Sequence, residues 1–223
     1  MNDKVKLFVL AGVILLVLTG FYFLLMRNAG QTDSSQIEKA SVSQGGKTVK
    51  KTEVSKDADL HEIYLAGGCF WGVEKFFKMA PGVVGTTVGY ANGQTLDTSY
   101  EILKMTDHAE TVHIKYDNDI ISLNKLLDYY FSIIDPTSIN RQGLDEGRQY
   151  RTGIYYVDKK ELETIRSKVD SEQNKYSREI QVEVRPLKHY ILAEDYHQDY
   201  LDKNPDGYCH IDLESAVKIF GKK

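Results

Sequence analysis

Hydrophobic and polar positions divide the chain into three stretches of different character. Leu7 to Met26, LFVLAGVILLVLTGFYFLLM, is apolar throughout and carries no charge. A membrane-spanning helix needs about 20 mostly apolar residues, and this run meets that length. It is longer than the roughly 7–15 apolar residues of a cleaved secretion signal, and no small-x-small cleavage pattern follows closely. We read residues 1–28 as a signal-anchor with a transmembrane helix over about 7–26; a cleaved signal peptide is the alternative. Lys4 and Lys6 before the run set the N-terminus in the cytoplasm and the body outside, although Arg27 after it weakens that bias. Residues 29–59 are polar, rich in Ser, Gln, Lys and Thr, and hold no aromatic residue. Such a stretch cannot bury enough apolar surface to offset ordering, so a flexible linker is expected.

From residue 60 the pattern is that of a folded domain, here placed at 60–213 and followed by a tail over 214–223. HEIYLA alternates and predicts a strand; Gly67-Gly68 predicts a turn. FWGVEKFFKM predicts a helix with Val73, Phe76 and Phe77 on one face. VVGTTVGYA predicts a strand, SYEILKM a short helix, and AETVHIKYD a strand with Val112, Ile114 and Tyr116 on one face. In SLNKLLDYYFSII, Leu123, Leu126, Leu127, Tyr130, Phe131 and Ile134 fall at helical spacing behind Ser122 as N-cap. Asp135 to Tyr150 lacks any period and predicts a long loop. A strand (RTGIYYVD), a charged amphipathic helix (KKELETIRSKVDSEQNKY), a strand (EIQVEVRPL) and a closing helix (YILAEDYHQDYLDKN) follow. The alternation predicts an α+β fold: a two-layer α/β sandwich of the ferredoxin-like plait type with a mixed sheet, preceded by one transmembrane helix.

Composition adds little. The formal net charge of −4 is mild, and no basic stripe or basic helix points to nucleic acid. His108, His189, His197 and His210 show no recognised ligand spacing, so no metal is expected, and His197 in DYHQDY reads as a structural residue.

The chemistry lies in LAGGCFWGVEKFF. Cys69 stands where a strand and a Gly-Gly turn give way to a helix. Free N–H groups and the helix dipole favour a thiolate there, and such placement lowers a cysteine pKa. A buried cysteine packing as a small hydrophobe is the plain alternative. Phe70 and Trp71 cannot both face the core. An aromatic wall beside a nucleophile suits a methyl or thioether group, because sulfur–aromatic contact is favourable. Cys209, in NPDGYCHIDL, follows a helix stop and a Pro-Asp-Gly turn and is expected in a mobile tail.

GCFWG resembles the active-site motif of the A-type peptide methionine sulfoxide reductases, and further blocks follow in order: VGYANG, the TSY of TSYEIL, HAE, RQGLDEGRQYR, AEDYHQDYLDKNP and GYC. The resemblance spans about Ile63 to Cys209. It implies reduction of methionine S-sulfoxide, free or in proteins, without a cofactor. It further implies that Cys69 attacks sulfur, that Glu110 supplies the proton, and that Tyr100 and Tyr150 hydrogen-bond the sulfoxide oxygen. Asp145 would hold the polar network, and Phe70 with Trp71 would form the methyl pocket. Cys209 would resolve the sulfenic acid to a disulfide, reduced in turn by a thioredoxin-like protein outside the cytoplasm. Oxidised proteins or peptides would be the substrates, and the chain is expected to act as a membrane-tethered monomer. Two departures shape the expectation. No further cysteine follows in a Gly-rich tail, so Cys69 and Cys209 alone would recycle. No fused B-type domain follows either, so another enzyme would handle the opposite epimer. Two rival readings are a cell-surface cysteine hydrolase or transpeptidase, and a non-catalytic binding module with a structural Cys69–Cys209 bridge.

Overall fold

The computed structural model describes residues 58–220. The expected anchor at 7–26 and all but the last two residues of the expected linker lie outside them. Among the described residues, no helix is long and apolar enough to cross a membrane.

In chain order the elements are β1 (Leu60–Gly67), α1 (Phe70–Met79), β2 (Val83–Ala91), α2 (Leu103–Thr106), β3 (Ala109–Asp117), α3 (Leu123–Ser132), β4 (Arg141–Gln142), β5 (Asp145–Glu146), β6 (Thr152–Tyr156), α4 (Leu162–Gln173), β7 (Glu183–Pro186), β8 (Tyr190–Leu192), α5 (Tyr200–Lys203) and α6 (Leu213–Phe220). The main sheet has the order β7-β6-β1-β3-β2-β8. Its inner strands pair antiparallel, and β7 joins β6 in parallel. The sheet is therefore mixed and the fold is α+β. The four inner strands with α1 and α3 follow a β-α-β-β-α-β order, strand 4-1-3-2 across the sheet.

Strand alternation explains which face is covered. Ile63 and Leu65 of β1, Val88 and Tyr90 of β2, and Val112, Ile114 and Tyr116 of β3 are fully buried on one face. Val73, Phe76 and Phe77 of α1 and Leu126, Leu127 and Tyr130 of α3 complete the same core. Ser122 caps α3, its hydroxyl accepting from the Lys125 N–H at 3.3 Å. Lys168 of α4 pairs with Asp128 of α3 and with Glu172, tying the two helices.

Three expectations are corrected. The closing helix over 190–204 does not form. Residues 190–192 instead add an edge strand to Gly89–Ala91 of β2. Past that strand, the Gln198 amide takes over the ladder, accepting from Val88 N–H and donating to Val88 C=O, both at 2.9 Å. Asp199 then stands at φ +55, which no helix continues through, so only one turn, α5, remains. Open hydrogen-bonding groups at the edge of β2 outweighed the helical spacing. The second correction is the loop at 135–150, which holds the β4–β5 hairpin and a 3-10 turn at Arg148–Tyr150. The third is the tail. Its residues form α6, with Ala216 buried and the Phe220 ring 5.0 Å from Phe76 and 4.7 Å from Tyr129.

Tyr130 ties α3 to the strand ends that carry the Gly-Gly turn. Its hydroxyl donates to Ala66 C=O at 2.6 Å and accepts from Gly153 N–H at 3.1 Å. Tyr130→Phe leaves both buried backbone groups without this partner and should cost about 1–3 kcal/mol of stability. Urea unfolding that places the variant within about 0.5 kcal/mol of the parent would contradict this role for the hydroxyl.

Candidate active site

β1 ends in Gly67-Gly68, and Gly68 adopts φ +85. A Cβ there would stand 2.5 Å from Gln142 Cβ, so the turn needs glycine for both conformation and space. The turn delivers Cys69 to the N-cap position of α1, with φ −59 and ψ 120. Two consecutive N–H groups of the first turn then divide between two functional groups. Phe70 N–H donates to Glu110 Oε2 at 3.1 Å, and the Trp71 N–H favours the charged form of Cys69.

The helix start does not make Cys69 a thiolate in this resting form. Only 7% of Cys69 is exposed. Burial pushes its thiol pKa well above the usual range, the nearby Glu110, Asp145 and Cys209 add to that, and the Trp71 N–H only partly opposes it. Removing the sulfur from water outweighs one backbone donor. The expectation of a lowered pKa is thus corrected.

Glu110 enters from the first turn of β3, opposite Tyr90 of β2 and on the core-facing side. It is 2% exposed. Burial pushes its pKa up to about 8; the Phe70 N–H lowers it and Asp145 raises it further. Glu110 is therefore a neutral acid at pH 7, set beside a neutral thiol.

Tyr100 and Tyr150 come from the 3-10 turns before α2 and after β5, and each influences the titration of the other. Both sense Glu110, Asp145 and Cys69, and burial raises both pKa values. With Asp145, Leu144 and Gln149 they line an open groove of about 720 Å³. Asp145 of β5 accepts from Tyr208 OH at 2.9 Å.

The aromatic pair splits. Trp71 keeps an exposed edge, stacks on Tyr200 at 3.6 Å, and donates through Nε1 to His197 Nδ1 at 3.0 Å. Phe70 is 1% exposed and packs against Tyr90 and His197. Trp71 alone presents open surface, and Phe70 backs it from the core.

Two residues of the AEDYHQDY block have roles that spacing did not show. His197 fixes the indole; because Nδ1 accepts from Trp71, its own hydrogen sits on Nε2, 3.8 Å from Glu194 Oε2. Glu194 accepts from Tyr90 OH at 2.7 Å and from Tyr100 N–H at 3.0 Å. One carboxylate thereby sets the tyrosine, and through His197 faces the tryptophan. His197, expected to be structural, bonds through its ring to Trp71 of α1.

Cys209, expected in a mobile tail, is half-buried and packs against α1. Its thiol donates to Ile211 C=O at 3.2 Å, and its sulfur lies beside Gly72 of α1. Both cysteines are free thiols. The neighbouring His210 donates through Nε2 to Gly67 C=O at 3.1 Å. Among the described residues, no group of three His, Cys, Asp or Glu side chains could hold a metal ion.

A buried thiol and a neutral buried acid at one helix N-terminus, with two groove-lining tyrosines that sense both, form a site able to protonate an acceptor oxygen beside a sulfur. Residues 61–223 match the family model described as peptide methionine sulfoxide reductase. Among solved structures, Mxr1 from Saccharomyces cerevisiae in reduced form is 37% identical, with a TM-score of 0.64, over 70% of this chain and 94% of that one. Methionine sulfoxide reductase A of Corynebacterium diphtheriae is also 37% identical, with a TM-score of 0.64, over 67% of this chain and 77% of that one. Mxr1 in an unusual oxidized form is 34% identical, with a TM-score of 0.53. The chain belongs to the peptide methionine sulfoxide reductase family and is an oxidoreductase acting on methionine sulfoxide.

Proposed function

We propose that this protein reduces the S epimer of methionine sulfoxide, in proteins and free, as a membrane-tethered monomer facing out of the cytoplasm. The observation that carries the chemistry is the neutral, buried Glu110 sharing one helix N-terminus with the Cys69 thiol.

The sulfoxide oxygen enters between Glu110 and the hydroxyls of Tyr100 and Tyr150, and its methyl group rests on Trp71, with Phe70 behind. Glu110 protonates the oxygen. The substrate sulfur becomes cationic, and an adjacent cation favours ionisation of Cys69. The Glu110 carboxylate left behind takes the thiol proton. The Cys69 thiolate bonds to the substrate sulfur; the protonated oxygen then passes from that sulfur to Cys69 as the S–O and sulfur–sulfur bonds to the substrate break, so methionine leaves and Cys69 remains as sulfenic acid. Asp145 holds the surrounding polar frame through Tyr208. The Cys209 thiol then attacks Cys69. The sulfur–sulfur bond forms, the Cys69 S–O bond breaks, and hydroxyl and thiol proton leave as water. A thioredoxin-like reductant outside the cytoplasm reopens the disulfide, and no cofactor takes part. The thiol-dependent cycle separates this reading from a hydrolase, which needs no reductant to turn over. The apolar run at 7–26 supports the membrane tether, and Lys4 and Lys6 support its orientation.

The piece from residue 58 onward, supplied with dithiothreitol and both sulfoxide epimers of a blocked methionine, should consume the S epimer alone. Cys69→Ser should abolish that loss. Consumption of both epimers, or of neither by folded protein with two free thiols, contradicts the reading.

Glu110 works as an acid, so its protonated form is the active one. With its pKa raised to about 8, single-turnover reduction should hold below that pH and fall as pH rises through it. Glu110→Gln keeps the shape, loses the proton, and should slow the step by about 10²-fold with no such pH fall. A parent rate that climbs through pH 8 to 9 would instead mark thiolate formation as limiting.

In cells, the full chain should sediment with membranes and resist a high-salt wash, whereas the piece from residue 58 should not. A membrane-impermeant thiol reagent should label Cys209 in intact cells; protection until lysis would reverse the orientation.

A further inference from the structure

The resolving thiol is expected in a mobile tail, yet it is docked. The N-cap side chain of a helix hangs over the third residue of that helix. For Cys69 of α1 that residue is Gly72. A Cβ on Gly72 would stand 2.8 Å from Cys209 Sγ and 3.2 Å from Ile211 Cδ1. The missing side chain therefore leaves a socket under the nucleophile, and the Cys209 sulfur fills it. Cys209 also figures among the groups acting on the Cys69 thiol.

The segment is pinned on both sides of Cys209. On one side, Tyr208 OH donates to Asp145 at 2.9 Å. On the other, buried His210 donates through Nε2 to Gly67 C=O at 3.1 Å. Since that nitrogen carries the hydrogen, Nδ1 holds a lone pair; it is buried without a partner, 4.0 Å from Asp145 Oδ2. His210 also fits closely against the glycines of both flanking turns: a Cβ would meet its ring at 3.0 Å from Gly68 and its Cβ at 2.9 Å from Gly143. Removing the ring thus opens a gap where the segment meets the Gly-Gly turn.

We propose that Gly72 is a socket for the resolving sulfur and that His210 is the positioning residue that keeps Cys209 in it before catalysis begins. The inference rests on the proposed role of Cys209. Its consequence is kinetic. The Cys209 S–H need not search for the Cys69 S–OH, so disulfide and water form soon after methionine leaves. Gly72→Ala fills the socket while improving helix propensity. His210→Leu removes the donor to Gly67, and His210→Gln keeps an N–H donor of similar reach.

The test is a single turnover of the piece from residue 58, mixed with one equivalent of methionine S-sulfoxide and no reductant. Samples are quenched into dimedone, and sulfenic acid, disulfide and methionine are followed by mass spectrometry. The parent should show little sulfenic acid. Gly72→Ala and His210→Leu should still release their equivalent of methionine, which proves a folded site, but prolong the sulfenic acid by about tenfold or more. His210→Gln should stay near the parent. Parent-like disulfide formation in both Gly72→Ala and His210→Leu overturns the proposal. So does an equal delay in His210→Gln and His210→Leu for the part played by His210. Cys209→Ser is the control: if it gathers no more sulfenic acid than the parent, Cys209 does not resolve at all and the functional reading falls with it. If no variant and no parent releases methionine, the reductase reading itself fails first.

Discussion

The site depends on how the first turn of α1 spends its unpaired backbone donors. Helix termini leave N–H groups without partners, and burial makes each one costly. Here Phe70 N–H goes to the Glu110 carboxyl, and the Trp71 N–H favours the charged form of the Cys69 thiol. Glu110 is therefore held at the helix end beside the residue that caps it. Everything upstream serves that placement. The β1–β3 pairing brings the start of β3 under the helix, and the Gly67-Gly68 turn reverses the chain tightly enough for Cys69 to cap it. Tyr130 secures the end of β1 and Gly153 of β6 with one hydroxyl.

Burying an acid and a thiol together explains their protonation. Neither group can ionise cheaply in a dry site, and each charge would oppose the other. Both stay neutral, which is the state that the proposed roles of acid and nucleophile require. The arrangement has a stability cost of definite sign. With its folded pKa raised, Glu110 supports the fold fully below the ordinary glutamate range and less as pH rises through about 8. Glu74, buried on the same helix and pushed up to about 7, acts in the same sense. The fold thus loses the contribution of these two carboxyls as pH rises from the ordinary glutamate range to about 8.

Much of this was legible from the chain, and the failures have a common cause. The bounds of α1, β2 and β3 follow from their patterns, because each element buries a regular face on the core. Ser122 was readable as a cap because its hydroxyl acts within four residues. What escaped was decided at long range. β8 forms because the edge of β2 offers open hydrogen-bonding groups, and the local spacing of residues 190–204 carries no sign of that edge. The lowered pKa expected for Cys69 failed because helix position is local, whereas desolvation depends on what the rest of the chain stacks above it. Phe70 and Trp71 were known to divide between core and groove, but which did which depended on His197 and Tyr200, over a hundred residues away. Glu194 offered no signal beyond its place in a quoted block, since its partners, Tyr90 and Tyr100, lie on other elements.

If Cys209 resolves Cys69 as proposed, its docked position changes how the two halves of the cycle relate. A free tail would make disulfide formation a search, and the sulfenic acid would stand open to further oxidation meanwhile. A sulfur already seated beside Gly72 shortens that exposure, and the half-buried setting of Cys209 still leaves one side of the eventual disulfide open to a partner thiol. The cost falls on the reductant's side: Ile211 is buried and α6 packs Phe220 against Phe76, so the segment resists being peeled away whole. Thiol exchange needs in-line access to only one sulfur, and Cys209 is the more exposed of the two. In the proposed cycle, a protein partner would therefore attack Cys209.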